Sequence, residues 1–378
     1  MKAIGTMSGT SMDGIDIALL ETDGEQVEAL GPAGGRSYTP AERELLRSAV
    51  SEAAFLRDRD ERPPLLTEAE DLITETHARA IEEFLGEYEI GRDEIDVIGF
   101  HGQTVLHRPE DRLTVQLGDG QRLADLTGIR VVYDFRANDV ALGGQGAPLV
   151  PVYHQALALS SALSLPAAVI NIGGVANLTW IGPDGDLLAF DTGPGNALID
   201  DWVQQTASMS HDENGALAAS GRVDNKRLEG MLRNPYFLRK PPKSLDRNAF
   251  SLSPIAGLSS ADGAATLTAF TAAALVLSLA HLPAPPAAYV VVGGGARNGT
   301  LMAALDKLLS GQCVDAEDLG WSADNIEAQA FGFLAVRSLF GLPLSFPATT
   351  GVARPATGGV TARPVDAQNL SFDGAGEM

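Results

Sequence analysis

The chain has 378 residues, 45% apolar and 20% charged, values that suit one large or two ordinary folded domains and exclude a disordered chain. Its net charge is −22, from 49 acidic and 27 basic residues of which only Lys2, Lys226, Lys240, Lys243 and Lys307 are lysine. Such a field repels nucleic acid and anionic lipid, yet a small anion can still be held locally by backbone N–H groups. The single cysteine, Cys313, excludes an intramolecular disulfide framework or a cysteine-rich metal site.

In chain order, residues 1–6 carry no apolar stretch of the secretory type, so a cytoplasmic protein is expected. A strand over 3–9 runs through a Gly/Ser/Thr turn into a second apolar run at 15–20, which predicts a hairpin with a polar tip. Helical periodicity covers 40–57 and 66–87, and strands are expected at 95–100 and 130–134. The segment 159–166 reads as a domain boundary. Beyond it a second hairpin repeats the device, from 168–177 into 178–181, followed by a strand at 187–191 and a helix at 196–206. The apolar run 264–282 is long enough to cross a membrane, but its threonines and missing basic flanks favour a buried helix starting near Ser259 or Ser260. A strand at 288–292 and helices at 299–309 and 325–340 complete the pattern, before a Pro- and Gly-rich tail from Gly341 to Met378. Strands alternating with helices argue for α/β architecture. The expected division is 1–165 plus 341–378 against 166–340.

Glycine is enriched, 41 residues or about 11% against a usual ~7%, and its clusters fall where strands end. Gly9, Thr10, Ser11, Met12, Asp13, Gly14, Ile15 and Asp16 offer closely spaced N–H and hydroxyl donors with little bulk, a nest suited to a nucleotide's phosphates or simply a polar turn. No P-loop consensus is present. Gly173, Gly174 and Asn177 repeat the device in the second half. Asp191, at the C-terminal tip of a strand before a Gly-Pro-Gly turn, stands where open α/β sheets bind ligands, or else caps that turn. Gly293, Gly294, Gly295 and Asn298 lack the third glycine of a dinucleotide fingerprint and fit a turn lying against an adenosine. His101, Gln103, Arg136, Gln145 and His154 form a polar series whose mixed donors and acceptors suit a sugar.

Two donor-tipped hairpins, an Asp after the second and a late Gly-Gly-Gly turn resemble the actin/hexokinase/Hsp70 superfamily. The wording GTMSGTSMDGID from Gly5, HGQT from His101, DFR from Asp134, GGQGAPLVP from Gly143, NIGGVANLT from Asn171, DTGPGN from Asp191 and GGGARN from Gly293 is similar to that of the anhydro-N-acetylmuramic acid kinases. The resemblance implies a two-lobed actin/hexokinase-like (RNase H-like) fold with mixed sheets flanked by helices. It also implies an ATP- and Mg²⁺-using phosphotransferase that opens 1,6-anhydro-N-acetylmuramic acid with water during murein recycling, working as a cytoplasmic homodimer without nucleic acid or membrane partners. Carried over, Gly9–Asp16 is the ATP phosphate loop, Asp191 the catalytic base and sugar contact, and Glu327 an acid reaching towards the phosphate or metal region. One departure stands out: Leu245-Asp246 replaces the family's usual Thr-Gly after Lys243-Ser244, which places that loop's contacts in question while leaving the central chemistry untouched. A conventional hydroxyl-directed sugar kinase, a nicotinamide-dependent oxidoreductase and a sugar sensor are the competing readings.

Overall fold

Both hairpins expected from the apolar alternation form. The computed structural model describes residues 1–9, 11–246 and 249–365. Its strands are β1 (Lys2–Ser8), β2 (Gly14–Thr22), β3 (Val27–Ser37), β4 (Val97–Arg108), β5 (Leu113–Leu117), β6 (Val131–Tyr133), β7 (Ala167–Ile172), β8 (Val175–Ile181), β9 (Leu187–Pro194), β10 (Ala288–Val292), β11 (Gln312–Val314) and β12 (Val360–Ala362). The described chain divides into a first unit of 1–141, 328–343 and 357–365, and a second of 142–327 and 344–356.

The first unit's sheet runs β12-β6-β4-β1-β2-β3, with β5 paired to β4. β1, β2 and β3 form an antiparallel meander, and β4 and β6 continue parallel to β1. Ile4, Ile17 and Phe100 from the strands pack against Leu46 of the helix Pro40–Ala53 and Ile73, Ile81 and Phe84 of the helix Pro64–Glu87. Thr39 and Glu42 start the first of these helices with a reciprocal capping box. From Ala328 onward, the helix Ile326–Leu339 lies with its backbone directly on the strands: a Cβ on Gly5 would sit 1.8 Å from the Ala328 carbonyl oxygen, and one on Gly99 2.0 Å from that of Phe331. Only glycine permits that approach.

The second unit's sheet runs β11-β10-β7-β8-β9, again an antiparallel meander (β7, β8, β9) extended by parallel strands. Its central helix, Ser260–Ser278, opens on a Ser259 cap that accepts from the Asp262 N–H at 3.1 Å. By length and composition this stretch could cross a membrane. Here it is a core helix, with Phe270 and Ala274 packed with Trp202 and Phe237, and Ala272 and Leu275 with Phe190.

The division falls at Ala141 and Leu142 rather than at 159–166, because the helix Pro151–Ser160 packs on β8 and β9 of the second unit. The tail also divides. Residues 344–356 join the second unit, where the Ala348 carbonyl accepts from Ala189 at 3.0 Å, whereas 357–365 return to the first as β12 on β6. Residues 366–378 lie outside the described residues.

Candidate active site

In the first unit the tip between β1 and β2 spans 9–13, and Thr10 lies outside the described residues. The Met12 N–H donates to the Gly9 carbonyl at 3.1 Å, with Met12 in the left-handed region at φ 54°. Ser11 Oγ donates to Asp13 Oδ1 at 2.7 Å. Asp13 and Asp16 are exposed, so the tip presents two carboxylates beside its backbone donors. Gly14 is demanded by sheet pairing, since a Cβ there would lie 2.5 Å from the Arg36 carbonyl oxygen. Ile15 is buried in the core, so its part in the loop is anchorage.

Gln103 is fully buried and braces this tip. Its Oε1 accepts from Ser8 Oγ at 2.6 Å and its Nε2 donates to the Gly9 carbonyl at 3.1 Å. Its amide is therefore engaged with the loop. His101 is also buried, and burial first, then the nearby Arg136 charge, hold its pKa well below the ordinary histidine value. The neutral ring donates from Nδ1 to the Gly102 carbonyl at 2.8 Å and accepts at Nε2 from Arg136 Nη2 at 3.0 Å. That arrangement makes His101 the orienter of the half-buried Arg136.

In the second unit a polar row crosses three strands. Asn171 on β7 stands opposite Asn177 on β8, which stands opposite Asp191 on β9. Directly opposed residues share a sheet face, and all three are half-buried while their neighbours Ile170, Leu178 and Phe190 are fully buried on the other face. Asn171 Nδ2 donates to Glu327 Oε1 at 3.0 Å, which fixes that carboxylate at the far end of the row. A bulge between Ala176 and Asn177 leaves Thr192 as the extra residue, its Oγ1 donating to the Ala176 carbonyl at 3.1 Å. Bulges of this kind re-aim side chains beside functional sites.

The Gly-Pro-Gly turn after Asp191 wraps the second hairpin tip. Gly195 N–H donates to the Gly174 carbonyl at 3.0 Å and Asn196 N–H to that of Gly173 at 2.7 Å, and a Cβ on Gly195 would fall 2.2 Å from the Gly173 oxygen. Gly293, at φ +77°, closes on the same tip, where a Cβ would come 2.3 Å from Asn171 Oδ1. Gly295 lies against Ile172, while Gly294 is exposed. Asn298 Oδ1 accepts from the Leu301 N–H at 3.0 Å as the cap of the helix Gly299–Leu308. His154 is buried in the helix Pro151–Ser160 with Nδ1 2.9 Å from Thr179 Oγ1, and burial lowers its pKa to about 3.

Asp191 is gripped by a segment that sequence reasoning did not assign. The Leu245 N–H donates to its Oδ2 at 2.7 Å, its own N–H donates to the Lys243 carbonyl at 3.0 Å, and Tyr236 Oη donates to its carbonyl at 2.7 Å. The Leu245-Asp246 departure therefore does touch the central carboxylate, through a backbone donor that any residue but proline supplies. Gln145 supports the same segment, with Oε1 accepting from Ser244 Oγ at 2.9 Å. Burial raises the Asp191 pKa to about 7, against the opposing pulls of the Leu245 N–H and the Lys243 charge.

Two sheets that share a strand order, each opened by a glycine-tipped hairpin, make a two-unit α/β fold, and comparison by family makes the chain a phosphotransferase. The model for "Anhydro-N-acetylmuramic acid kinase" matches residues 1–363, and the chain belongs to that family. Curated relatives of that name include one from Methylorubrum extorquens, 55% identical over 96% of this chain and 99% of its own, and one from Rhodopseudomonas palustris strain HaA2, 56% identical over 96% and 100%. Among solved structures, the (R)-2-hydroxyglutaryl-CoA dehydratase component A of Acidaminococcus fermentans is 12% identical over 89% of this chain and 98% of its own, with a TM-score of 0.49.

Proposed function

We propose that this chain converts 1,6-anhydro-N-acetylmuramic acid, ATP and water into N-acetylmuramic acid 6-phosphate and ADP, in the recycling of cell-wall murein. The observation that carries the reading is the 55–56% identity, over nearly the whole chain, with curated kinases of that name, joined to the Asp191 carboxylate within β9, whose pKa burial raises to about 7. In the anhydro sugar O6 is tied to C1 as an ether, so no free hydroxyl exists to phosphorylate. Water must attack C1 while the C1–O6 bond breaks and O6 takes the γ-phosphoryl group from the β-phosphate oxygen. Asp191 receives the water's proton. A base half-ionised near neutral pH suits that task, and general-base help contributes about 10²–10⁴ in rate.

The remaining work is positioning and charge neutralisation. Gly9–Asp16 is the loop suited to phosphate by its donors, and Gly173, Gly174, Gly293 and Gly294 form a small-residue surface suited to a nucleotide. Arg136, held by His101, is the sugar-side cation. Gln103, Gln145, His154 and Asn298 act from behind as braces and packing. Mg²⁺ keeps much of its water and takes one or two carboxylates plus phosphate oxygens, a donor set that the exposed Asp13 and Asp16 fit. When bound it neutralises phosphate charge. A cytoplasmic homodimer completes the reading, with family membership as its support.

Turnover in oxygen-18 water tests the chemistry. The reading requires one heavy oxygen on C1 of the sugar, none in the phosphate and an unlabelled O6 bridge, against a control of preformed product held in the same water. Label in the phosphate, or none acquired beyond that control, overturns it.

A further inference from the structure

The segment Tyr236 to Leu245 does more than close a loop. It supplies a hydrogen bond to the Asp191 carboxylate from Leu245, an acceptor for the Asp191 N–H from Lys243, and a donor to the Asp191 carbonyl from Tyr236. Lys243 is buried, an unusual place for an ammonium group. Its Nζ donates to the Tyr236 carbonyl at 3.3 Å and lies 4.6 Å from the Tyr236 ring centroid and 5.6 Å from that of Phe190, the residue before Asp191. Aromatic faces and a single carbonyl hold this cation without neutralising it. Its charge is thus left to act on the carboxylate next to Phe190.

We propose that Tyr236–Leu245 is the positioning strap of the catalytic base, with Lys243 as the positioning residue that biases Asp191 towards its ionised form. This rests on Asp191 being that base. Other charged or titratable groups on the elements packed against β9 are differently engaged. His154 is neutral and bonded to Thr179, Asp262 is half-buried and accepts from the Arg222 N–H, His281 Nε2 lies 3.1 Å from the Phe237 carbonyl oxygen, and Glu327 accepts from Asn171 at the far end of the row. On the strap itself, Arg239 is exposed and stacks over the outer Tyr236 ring at 5.8 Å.

The test is the pH dependence of kcat/KM for Lys243→Met, Lys243→Arg and Tyr236→Phe beside wild type and Asp191→Asn. Loss of a nearby cation raises a carboxylate's pKa, so the acid limb of Lys243→Met moves to higher pH by on the order of one unit. Lys243→Arg restores the limb. The gap between Lys243→Met and wild type closes at pH values above both limbs, where Asp191 is ionised in each. Tyr236→Phe lowers kcat without moving the limb, because it loosens the backbone and leaves the charge. An unshifted limb in Lys243→Met, with Asp191→Asn inactive, overturns the strap's electrostatic role alone. Activity retained in Asp191→Asn overturns the base reading beneath it. If Lys243→Met fails to fold, the Lys243→Arg and Tyr236→Phe profiles decide: a wild-type kcat in Tyr236→Phe, or a displaced limb in Lys243→Arg, counts against the proposal.

Discussion

The two units share a sheet order and differ in what they place at equivalent positions. In the second, the row at the hairpin tip reads Asn171, Asn177, Asp191; in the first, the corresponding row across β1, β2 and β3 reads Met7, Asp16, Gly35. The third strand of the first unit cannot carry a functional side chain there, for a Cβ on Gly35 would lie 2.5 Å from the Ile15 carbonyl oxygen. The tips differ in the complementary sense. The first is the longer, with Ser11, Met12 and Asp13 available to a ligand, while the second is the pair Gly173-Gly174 locked by the turn after Asp191. One scaffold therefore serves twice: its hairpin tip carries polar groups in the first unit, and its third strand carries the carboxylate in the second.

The largest expected effect breaks the second half of that comparison. Asp191→Asn should lower kcat/KM by about 10²–10⁴ with an unchanged circular dichroism spectrum. A loss under tenfold in a turnover assay would move the base elsewhere. Gly9→Val should break the first half. The Gly9 Cβ position meets only Ser11 Oγ at 3.4 Å and the Ser11 nitrogen at 4.0 Å, so the variant should keep its melting temperature while the ATP KM rises about tenfold, ~1.4 kcal/mol. Equal nucleotide titrations of wild type and variant would remove the tip from phosphate binding.

A subtler contrast concerns stability. Asp191 has its folded pKa raised to about 7 from 3.8, so the folded state holds the proton more tightly than the unfolded chain. The penalty for ionising it is absent below the unfolded value, grows as pH rises and is complete above the folded one. Asp191→Asn should therefore melt higher than wild type at pH 8, with the gap closing as pH falls from 7 towards 4. Thermal melts with an unvarying gap would show that Asp191 is not desolvated. The smallest effect is Asn298→Ala, which should cost about 1 kcal/mol as a lost helix cap and leave the ATP KM unchanged. A raised KM would return Asn298 to the nucleotide site.

Much of the fold was legible because apolar runs and glycine turns report directly on strands and their tips. β3 was not, since Val27–Ser37 holds Gly31, Gly34 and Gly35 and reads as loop, although pairing with β2 makes it a strand. The polar row was half legible: Asn177 and Asp191 were expected to matter, but their adjacency depends on register, which one strand's sequence does not carry. Asn171, which holds Glu327, was passed over as part of a turn. The strap stayed hidden for a different reason. Two of its three holds on Asp191 use the backbone of Lys243 and Leu245, and a backbone group leaves no residue signature. Burial was equally illegible: the sequence shows the ligand chemistry of His154 and not that its side chain lies in the core.

The extra residue in β9 sets a constraint of length. Upstream of Thr192 the strand aims a carboxylate outward; downstream it must turn Gly193–Asn196 around the neighbouring hairpin, and these two duties fall on opposite phases of a two-residue repeat. Deleting one residue between Asp191 and Gly195 would satisfy either duty only by forfeiting the other, whatever amino acids remained. In a library of variants, this stretch should accept exchanges at Thr192 more readily than any shortening.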